Sequence, residues 1–418
     1  MPETAETKDI IIIGGGPAGL AAGIAAAEKL QEKKLQEQNR SSGSVIILER
    51  NNQAGKKFLL TGSGQCNITH SGSMNDFIKH YGGTKKERCK KEHFVKPALF
   101  NFDNAAAVKF FEQNGIPLWE REDGKVFPRS LKAADLLNIL LNNFKEYGGK
   151  IETDIEVQNV RTTETYFTVE TSRGIRTANQ IILAAGGSSY PATGSDGSGF
   201  ALAEQLGHRI VPPKPALTPV YIRHYPFADN AGTSFENVNF CIKRNGKRII
   251  SNNGTVLLTH CGFSGPGILD ASRFIEPQDF IFVEFSKEGY NIQQFLTGKK
   301  TVKNALRQLE LPEHFLETLL TVSGVIPDKP AAEITREERK KIETALTDYP
   351  FCIESLGNWN EAMATAGGIA LDEVNRQTLE SRIVPNLFFC GEVLDIDGDT
   401  GGYNLQFALS SGFLAGGK

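Results

Sequence analysis

A glycine-rich turn near the start of the chain, set between an apolar run and a helical pattern, constrains the fold more than any other feature. Residues 9–13 read DIIII, and the turn GGGPAG follows directly at 14–19. This pattern predicts a buried strand, a tight turn and then a long helix over 17–38. The apolar run VIILE at 45–49 predicts a second strand, and continuous apolar strands separated by a helix are typical of a parallel sheet covered on both faces. The chain is therefore predicted to begin with a right-handed βαβ unit.

The three spaced glycines of this turn indicate a dinucleotide site. Gly14, Gly16 and Gly19 fit the pattern GxGxxG between a strand and a helix. In that context they allow a tight turn, a close approach of backbone to a pyrophosphate, and close packing of the helix on the strand. Glu49 ends the second strand and is placed to accept hydrogen bonds from a ribose diol. Its distance from Gly19 exceeds the usual ~20 residues, because the polar stretch 28–44 intervenes.

The rest of the chain favours FAD over NAD as that dinucleotide. No second GxGxxG follows a later strand and no redox cysteine pair is present, which argues against a disulfide reductase built from two Rossmann domains. The apolar run LFFCGE at 387–392 predicts a strand that brings Glu392 to the ribityl chain, and a glycine-rich turn then leads into a helix at 403–415. N–H groups near Asn404 and Leu405, at the start of that helix, would stabilise the negative charge of a reduced flavin.

The composition is that of a soluble globular protein. The 418 residues carry a net charge of −3 and are 40% hydrophobic, so we expect neither a nucleic-acid partner nor a membrane partner. The six cysteines form no CxxC and no zinc-type spacing with histidine, so we expect no metal, and we expect a reducing, cytoplasmic compartment. Residues 10–27 are uncharged and long enough to span a membrane, but their glycine cluster fits a strand, turn and helix better. The N-terminus shows no signal-peptide pattern.

Patterns along the chain predict a discontinuous α/β domain with an insertion. Four prolines within 211–219 indicate a domain boundary, and Asn245–Gly246 indicates a hairpin turn. Within the first part we predict helices at 103–114, 131–147 and 198–206 and strands over 150–183. The predicted domains are 1–210, the first part of the FAD-binding domain with a helical excursion at 75–147; 211–362, an inserted domain that is β-rich at 215–285 and 351–362 and helical at 290–348; and 363–418, the C-terminal part of the FAD-binding domain.

Long motifs, in the order of the chain, resemble those of one flavoprotein family. The motifs are LERNNQAGKKFLLTGSGQCNITH (48–70), LAAGGSSYPATGSDGSGFALAEQLGH (183–208), PALTPV (215–220), THCGFSGPGILDAS (259–272), ATAGGIALDEV (364–374) and NLFFCGEVLDIDGDTGGYNLQFALSSGFLAG (386–416). The chain resembles the BaiN-type flavoproteins, also called aminoacetone-oxidase-family FAD-binding enzymes or NAD(P)/FAD-dependent oxidoreductases. The resemblance implies an α/β fold with non-covalent FAD in a discontinuous, glutathione-reductase-type Rossmann domain. It also implies an inserted β-rich domain and a helical subdomain.

The resemblance further implies, by motif position, which residues hold FAD. Those expected at the pyrophosphate are Gly14, Gly16, Pro17, Ala18 and Gly19, and those expected at the adenosine are Glu49, Arg50 and Val157. Those expected along the ribityl chain and the flavin are Lys57, Gly64, Gln65, Cys66, Asn67 and Thr69, while Ala185 and Gly186 flank the nucleotide. Those expected to close over the flavin are Gly391, Glu392, Asp395, Gly402, Tyr403, Asn404, Leu405 and Gln406.

Two positions depart from the pattern of the family. Gln65 stands where the family usually has an arginine, and His70 stands where it usually has an asparagine. A neutral Gln65 lacks the cation that would support the flavin or an anionic substrate. The substrate therefore has to be argued from other features of this chain.

The expected chemistry is hydride transfer between a small organic substrate and FAD, since the cofactor carries the redox step. By resemblance the enzyme is an enoyl-type reductase or an amine oxidase, with NAD(P)H as a candidate electron donor. The candidate catalytic residues are Cys66, His260 and Tyr403, with His70 and Tyr190 as further side chains near the flavin. Two alternatives stay open at this point: a flavin-dependent tRNA-modifying enzyme, and a non-catalytic flavin-binding redox protein.

Overall fold

The computed structural model describes residues 7–36, 43–82, 85–286 and 292–418. The chain divides into two compact units: unit one is Met1–Pro215 with Met363–Lys418, and unit two is Ala216–Ala362. The domain boundaries predicted from the sequence, after residues 210 and 362, remain predictions. Among the described residues, no helix combines the length and the apolarity needed to cross a bilayer.

The described residues form the following strands and helices. The strands are β1 (Thr7–Ile13), β2 (Val45–Leu48), β3 (Thr69–His70), β4 (Leu118–Glu120), β5 (Lys125–Pro128), β6 (Lys150–Glu152), β7 (Val157–Thr162), β8 (Phe167–Thr171), β9 (Gly174–Leu183), β10 (Ile210–Ala216), β11 (Val220–Ile222), β12 (Ser234–Arg244), β13 (Lys247–Leu258), β14 (Gly262–Ser264), β15 (Phe280–Val283), β16 (Phe351–Leu356), β17 (Ala364–Ile369) and β18 (Leu387–Phe389). The helices are α1 (Pro17–Gln36), α2 (Met74–Phe77), α3 (Lys85–Asn101), α4 (Asn104–Gln113), α5 (Ala133–Glu146), α6 (Ser198–Gln205), α7 (Pro266–Ala271), α8 (Ile292–Phe295), α9 (Val302–Leu306), α10 (Glu313–Val322), α11 (Arg336–Thr347) and α12 (Tyr403–Gly416). The last two residues of the helix predicted over 17–38 lie outside the described residues.

A seven-stranded sheet forms the centre of unit one. Its strand order is β6-β2-β1-β9-β8-β7, and β18 pairs with β9 beyond the end of β8. The pairs β1–β2, β1–β9, β2–β6 and β18–β9 are parallel, whereas β7, β8 and β9 form an antiparallel meander. The carboxyl-terminal halves of β1 and β9 and all of β2 are apolar and buried, which is typical of parallel strands covered on both faces. This arrangement confirms the predicted βαβ start and the α/β class.

Small residues let the first and last helices of unit one pack backbone against backbone. A Cβ atom added at Gly412 on α12 would lie 2.3 Å from the carbonyl oxygen of Ala18 on α1, and one added at Gly416 would lie 2.0 Å from that of Ala22. No side chain larger than hydrogen fits at either glycine without a shift of the helices. The C-terminal segment is therefore an integral part of the dinucleotide-binding unit.

The stretch 75–147 differs from its helical prediction. Helices α4 and α5 match the predicted ones, but β4 and β5 lie between them and form a three-stranded antiparallel sheet with β3, which precedes the stretch. The strands are only two to four residues long, so they carry too little alternation to stand out beside the helical periodicity on either side. Most of the proline-rich stretch 211–219 is strand β10, which forms a two-stranded sheet with β17 in the described part of the chain. Proline is tolerated there because an edge strand has N–H positions that need no partner.

Unit two is a closed six-stranded barrel with helices. The strand order around the barrel is β11-β14-β13-β12-β15-β16. Strand β16 comes from the second predicted β-rich stretch, 351–362, and closes the barrel by pairing with both β15 and β11. The predicted hairpin turn at Asn245–Gly246 joins β12 to β13. Aromatic rings fill the core, with the Phe227 and Phe315 centroids 5.1 Å apart and the Phe263 and Phe351 centroids 4.9 Å apart.

Candidate functional site

A cleft opens in unit one at the carboxyl ends of the parallel strands, which is where open α/β sheets bind ligands. It encloses about 1330 Å³ of empty space, part of it open to solvent. The predicted FAD residues that line it are Gly14, Gly16, Pro17, Ala18, Glu49, Arg50, Lys57, Val157, Ala185, Gly186, Glu392, Asn404 and Leu405. The cleft therefore brings together residues from four separate sequence motifs.

The three glycines of the turn have different surroundings. Gly14 has φ +106°, and a Cβ atom there would lie 2.5 Å from the carbonyl oxygen of Ala184. A Cβ atom at Gly19 would lie 2.0 Å from the carbonyl oxygen of Gly14, which explains why Gly19 does not line the cleft. A Cβ atom at Gly16 would meet nothing within 4 Å. Gly16 therefore faces open space, and its backbone fits the close approach of a pyrophosphate.

Glu49 is buried and held in place by backbone and side-chain donors. Its Oε2 accepts a hydrogen bond from the N–H of Gly15 at 2.8 Å, and its Oε1 accepts bonds from the backbone N and from Nδ2 of Asn51 at 2.8 and 2.7 Å. These donors fix the carboxylate at the end of β2 as a ready acceptor for ribose hydroxyls. Asn51, which also lines the cleft, is a residue that the sequence interpretation missed; its position two residues after the motif acid is the available signal.

Glu392 is held in the same manner toward the other end of the cleft. Its Oε1 accepts a hydrogen bond from the N–H of Thr365 at 2.8 Å, and its Oε2 lies 2.7 Å from Nζ of Lys57. Lys57 also donates to Oγ of Ser189 at 2.5 Å. The ion pair fixes both predicted cofactor side chains where they line the cleft.

The start of α12 presents backbone donors to the cleft. Gly402 caps the helix with φ +100°, and the first intrahelical bond runs from the N–H of Gln406 to the oxygen of Gly402 at 3.0 Å. The N–H groups of the preceding residues have no intrahelical acceptor, and two of those residues, Asn404 and Leu405, line the cleft. The side chain of Asn404 is turned to Gly398, whose N–H it accepts at 2.8 Å. The helix start thus suits a ligand that carries negative charge.

Tyr403 lies in an aromatic stack rather than in the cleft lining. Its ring stacks between the rings of His80 and His70, with centroid distances of 4.1 and 5.3 Å, and the Tyr81 hydroxyl donates to its backbone oxygen at 2.7 Å. Gln406, also predicted to hold FAD, donates from Nε2 to the backbone oxygen of Phe102 at 2.9 Å. Both side chains therefore stabilise the start of α12.

The loop 64–69 carries five predicted FAD residues, none of which lines the cleft. Cys66 is fully buried with φ +59°, and burial raises the pKa of its thiol to about 12, so the thiol is protonated at neutral pH. Asn67 Oδ1 and Thr69 Oγ1 are buried, and no hydrogen-bond partner for either lies among the described residues. A polar group of a bound ligand would satisfy such atoms.

Asp395 belongs to a buried ion cluster beside the cleft. Nζ of Lys91, on α3, lies 3.0 Å from Oδ1 of Asp395 and 2.9 Å from Oδ1 of Asp397. Burial raises the pKa of Asp395, while Lys91 opposes that rise. Ile396, between the two acids, lines the cleft. Gly391, with φ +76°, lies close to Ala18 and takes no part in the lining.

His260 is the one predicted catalytic residue in unit two. It lies exposed between β13 and β14 and does not line the cleft of unit one. Neither Cys66 nor Tyr403 lines that cleft, so the catalytic roles given to these three residues stay predictions. Cleft residues that the sequence interpretation missed include Asn51, Thr61, Thr193, Ser195, Ser198 and Ile396.

Comparison with known proteins gives a family for this geometry. The model of the "HI0933-like protein Rossmann domain" matches residues 8–418. The chain is similar to a 3-dehydro-bile acid delta(4,6)-reductase of Clostridium scindens, with 31% identity over 97% of each chain. It is also similar to a ribosomal RNA dihydrouridine synthase of Escherichia coli, with 28% identity over 97% of this chain and 96% of the relative.

A solved structure supports the fold. The 3-ketosteroid-delta4-(5alpha)-dehydrogenase of Rhodococcus jostii RHA1 covers all of this chain and 97% of its own, with a TM-score of 0.51 and 15% identity. The match of the family model over nearly the whole chain, and the cleft built from its motifs, identify FAD as the cofactor. The chain belongs to the HI0933-like, BaiN-type family of FAD-binding Rossmann flavoproteins, which are oxidoreductases.

Proposed function

We propose that this protein is a reductase that saturates a carbon–carbon double bond conjugated to a carbonyl group, in a small organic molecule, with NAD(P)H as electron donor. The names of both curated relatives describe such a change. A delta(4,6)-reductase of a 3-dehydro bile acid acts on double bonds next to a ketone, and a dihydrouridine synthase saturates the double bond of a uracil ring. We propose that shared chemistry for this chain, but we do not propose either of the two particular substrates.

The observation that carries the proposal is the helix start that borders the cleft. When bound there, FAD supplies the hydride chemistry. The unpaired N–H groups of Asn404 and Leu405, with the dipole of α12, favour negative charge at this end. Glu392 and Lys57 hold the cofactor's position, and the apolar side chains of Ile396 and Phe407 in the lining limit access of water.

The paired state of Glu392 favours reduction over amine oxidation. Oxidation of an amine calls for a base that keeps the amine neutral, and Glu392 is already engaged by Lys57 and by the N–H of Thr365. Cys66 is protonated at neutral pH, since burial raises its pKa to about 12. Addition of hydride to the β-carbon of an activated double bond needs no such base, and the enolate that it forms takes a proton from solvent at the α-carbon.

The test is anaerobic reduction and reoxidation of the purified yellow protein. NADH or NADPH should bleach the flavin, and an excess of a conjugated enone, such as a 3-keto-4-ene steroid or cyclohexenone, should restore its colour and yield the saturated ketone. The saturated ketone itself should restore no colour and serves as the matched control. Reduction of the oxidised flavin by simple amines, without any reoxidation by enones, would overturn the proposal.

A second candidate is reduction of uridine within RNA. It rests on the dihydrouridine synthases of two organisms, each 28% identical to this chain over at least 96% of its length. The net charge of −3 weighs against an RNA partner. Reoxidation of the reduced protein by a uridine-containing ribosomal RNA transcript, with formation of dihydrouridine and none by cyclohexenone, would favour this candidate.

A further inference from the structure

Two chain segments meet above the turn that is expected to hold the pyrophosphate of FAD. Strands β2 and β9 are the neighbours of β1 on opposite sides, so their ends lie about 10 Å apart at ~4.8 Å per strand step. Arg50 and Asn51 follow β2, and residues 193–198 follow β9. Contacts between these two segments therefore cross the end of β1, where the turn 14–19 begins.

Such contacts are present, and both segments line the cleft. Arg50 donates from Nη1 to Oδ2 of Asp196 at 2.5 Å, and Asn51 donates from Nδ2 to the backbone oxygen of Thr193 at 2.9 Å. Gly194 has φ +93°, and a Cβ atom there would lie 2.5 Å from Nδ2 of Asn51. The close approach of the segments thus depends on a glycine at this point.

A second carboxylate on Arg50 lies within one wall of the cleft. Glu156 lies 2.8 Å from Nη2 of Arg50, and it follows a segment that is already bonded to the end of β2. The N–H of Asp154 donates to the oxygen of Asn51 at 2.9 Å, and that of Ile155 donates to the oxygen of Glu49 at 3.0 Å. The Arg50–Glu156 pair therefore lies within one wall of the cleft, whereas the Arg50–Asp196 pair joins the two walls.

We propose that residues 193–198 form a strap over bound FAD, and that the Arg50–Asp196 ion pair is the latch that slows FAD release. FAD reaches under the strap from the adenosine side to the flavin side, so its release requires the strap to lift. Burial opposes ionisation of Asp196, but hydrogen bonds from Ser198 and Arg50 outweigh it and lower the pKa of the carboxyl, which keeps the latch charged at neutral pH. Arg50 and Asp196 are positioning residues in this role.

The latch is about one-third exposed, which sets the size of its effect. The side chains of Arg50 and Asp196 are 32% and 36% exposed. A pair of this kind contributes about 0.2–1 kcal/mol and is screened by salt. The corresponding change in the FAD release rate is roughly 1.5- to 5-fold at low ionic strength.

The experiment compares FAD release from the holoproteins of the wild type and three variants. Each holoprotein is mixed with an excess of a competing flavin-binding apoprotein, and the rate is followed by flavin fluorescence at about 20 mM and 1 M salt. Asp196→Asn removes the charge that joins the walls but keeps the oxygen that accepts from the N–H of Ser198. Glu156→Gln is the matched control, because it removes a carboxylate that pairs with Arg50 within one wall of the cleft. Asp196→Glu keeps a negative charge at position 196.

We expect Asp196→Asn to release FAD about threefold faster than the wild type at low salt and at the same rate at high salt. Glu156→Gln and Asp196→Glu should both stay close to the wild type. Equal release rates for Asp196→Asn and the wild type at low salt would overturn the proposal. An acceleration by Glu156→Gln as large as that by Asp196→Asn would also overturn it, because the effect would then be a general one of charge near the cofactor.

Discussion

At the scale of single residues, two glycines of the same turn have different roles. We expect Gly14 to matter for folding and Gly16 to matter for cofactor binding. Gly16→Ala places its Cβ in open space, so the apoprotein should keep its stability within about 0.5 kcal/mol. The same methyl group should weaken FAD binding at least tenfold, because it fills the space where the pyrophosphate approaches. Gly14→Ala, at φ +106° and 2.5 Å from a carbonyl oxygen, should instead destabilise the apoprotein by about 2 kcal/mol or more.

Urea unfolding of the apoproteins and quenching of FAD fluorescence on titration separate these two effects. A Gly16→Ala variant that binds FAD as tightly as the wild type would show that the pyrophosphate lies elsewhere. Unchanged stability of Gly14→Ala would contradict the close contact with Ala184.

The buried side chain of His208 should make the stability of the protein depend on pH. Burial lowers its pKa, although Glu373 opposes this from 3.3 Å, and its Nε2 lies 2.8 Å from Oγ of Ser381. The unfolded chain, with a histidine pKa near 6.5, therefore binds the proton before the folded protein does. The stability that comes from neutral His208 is full above that pH and is lost as the pH falls from there through the lower pKa of the folded state.

The measurement is the free energy of unfolding in urea between pH 7.5 and 5.5. His208→Gln should be less stable than the wild type at pH 7.5 and should lose less stability on acidification. His314→Gln, at an exposed histidine of unit two, is the matched control and should follow the wild type. Parallel pH profiles for the wild type and His208→Gln would contradict the assignment.

At the scale of elements, helix α3 is tied to the segment that leads into α12 by one buried cation. Lys91 is 9% exposed and Asp397 is 1% exposed, so removal of the cation takes its positive charge away from two buried carboxylates. Lys91→Met should destabilise the protein by about 3–5 kcal/mol at neutral pH. The pKa of Asp395 is already raised by burial and should rise further, so the variant should regain stability relative to the wild type as the pH falls.

Urea unfolding at pH 7 and pH 5.5 checks this prediction. Lys91→Met combined with Asp397→Asn should recover a large part of the loss, since it removes one of the two charges. A loss below about 1 kcal/mol for Lys91→Met at pH 7 would show that the cluster is well solvated.

The same elements show what the sequence can and cannot predict. The turn 14–19 and the apolar runs specify β1, α1 and β2 locally, because each signal lies within one short window. Lys91 lies in the run KKERCKKEH, which has the composition of a solvated helix face, so its burial against Asp395 and Asp397 depends on distant packing. Asp196 is likewise paired with Arg50 across 146 residues of chain. The charge cluster, the strap and the closure of the barrel by β16 are long-range pairings that no local pattern encodes.

At the scale of the whole molecule, unit one is assembled from two stretches of chain that the insertion separates. The N–H of Ala370 donates to the oxygen of Arg209 at 3.0 Å, and a Cβ atom on Gly367 would lie 2.6 Å from the oxygen of Pro212. Residue numbers thus rise along β10 while the numbers of the facing residues on β17 fall, so the two strands run antiparallel. In this register Pro215 and Met363 lie at the same end of the two-stranded sheet, so the insertion leaves unit one and returns to it at one place.

A short turn should therefore replace the whole insertion. Antiparallel strands can be joined by a two-residue hairpin, and the apolar cores of the two units share no residue. A variant that joins Pro215 to Met363 through two to four glycine and serine residues should fold and bind FAD. Its matched control, truncation after residue 362, removes β18 and α12, which pair with β9 and pack on α1, and should bind no FAD. Fluorescence titration and far-ultraviolet circular dichroism decide the matter, and an unfolded joined variant would show that unit one needs the barrel in order to fold.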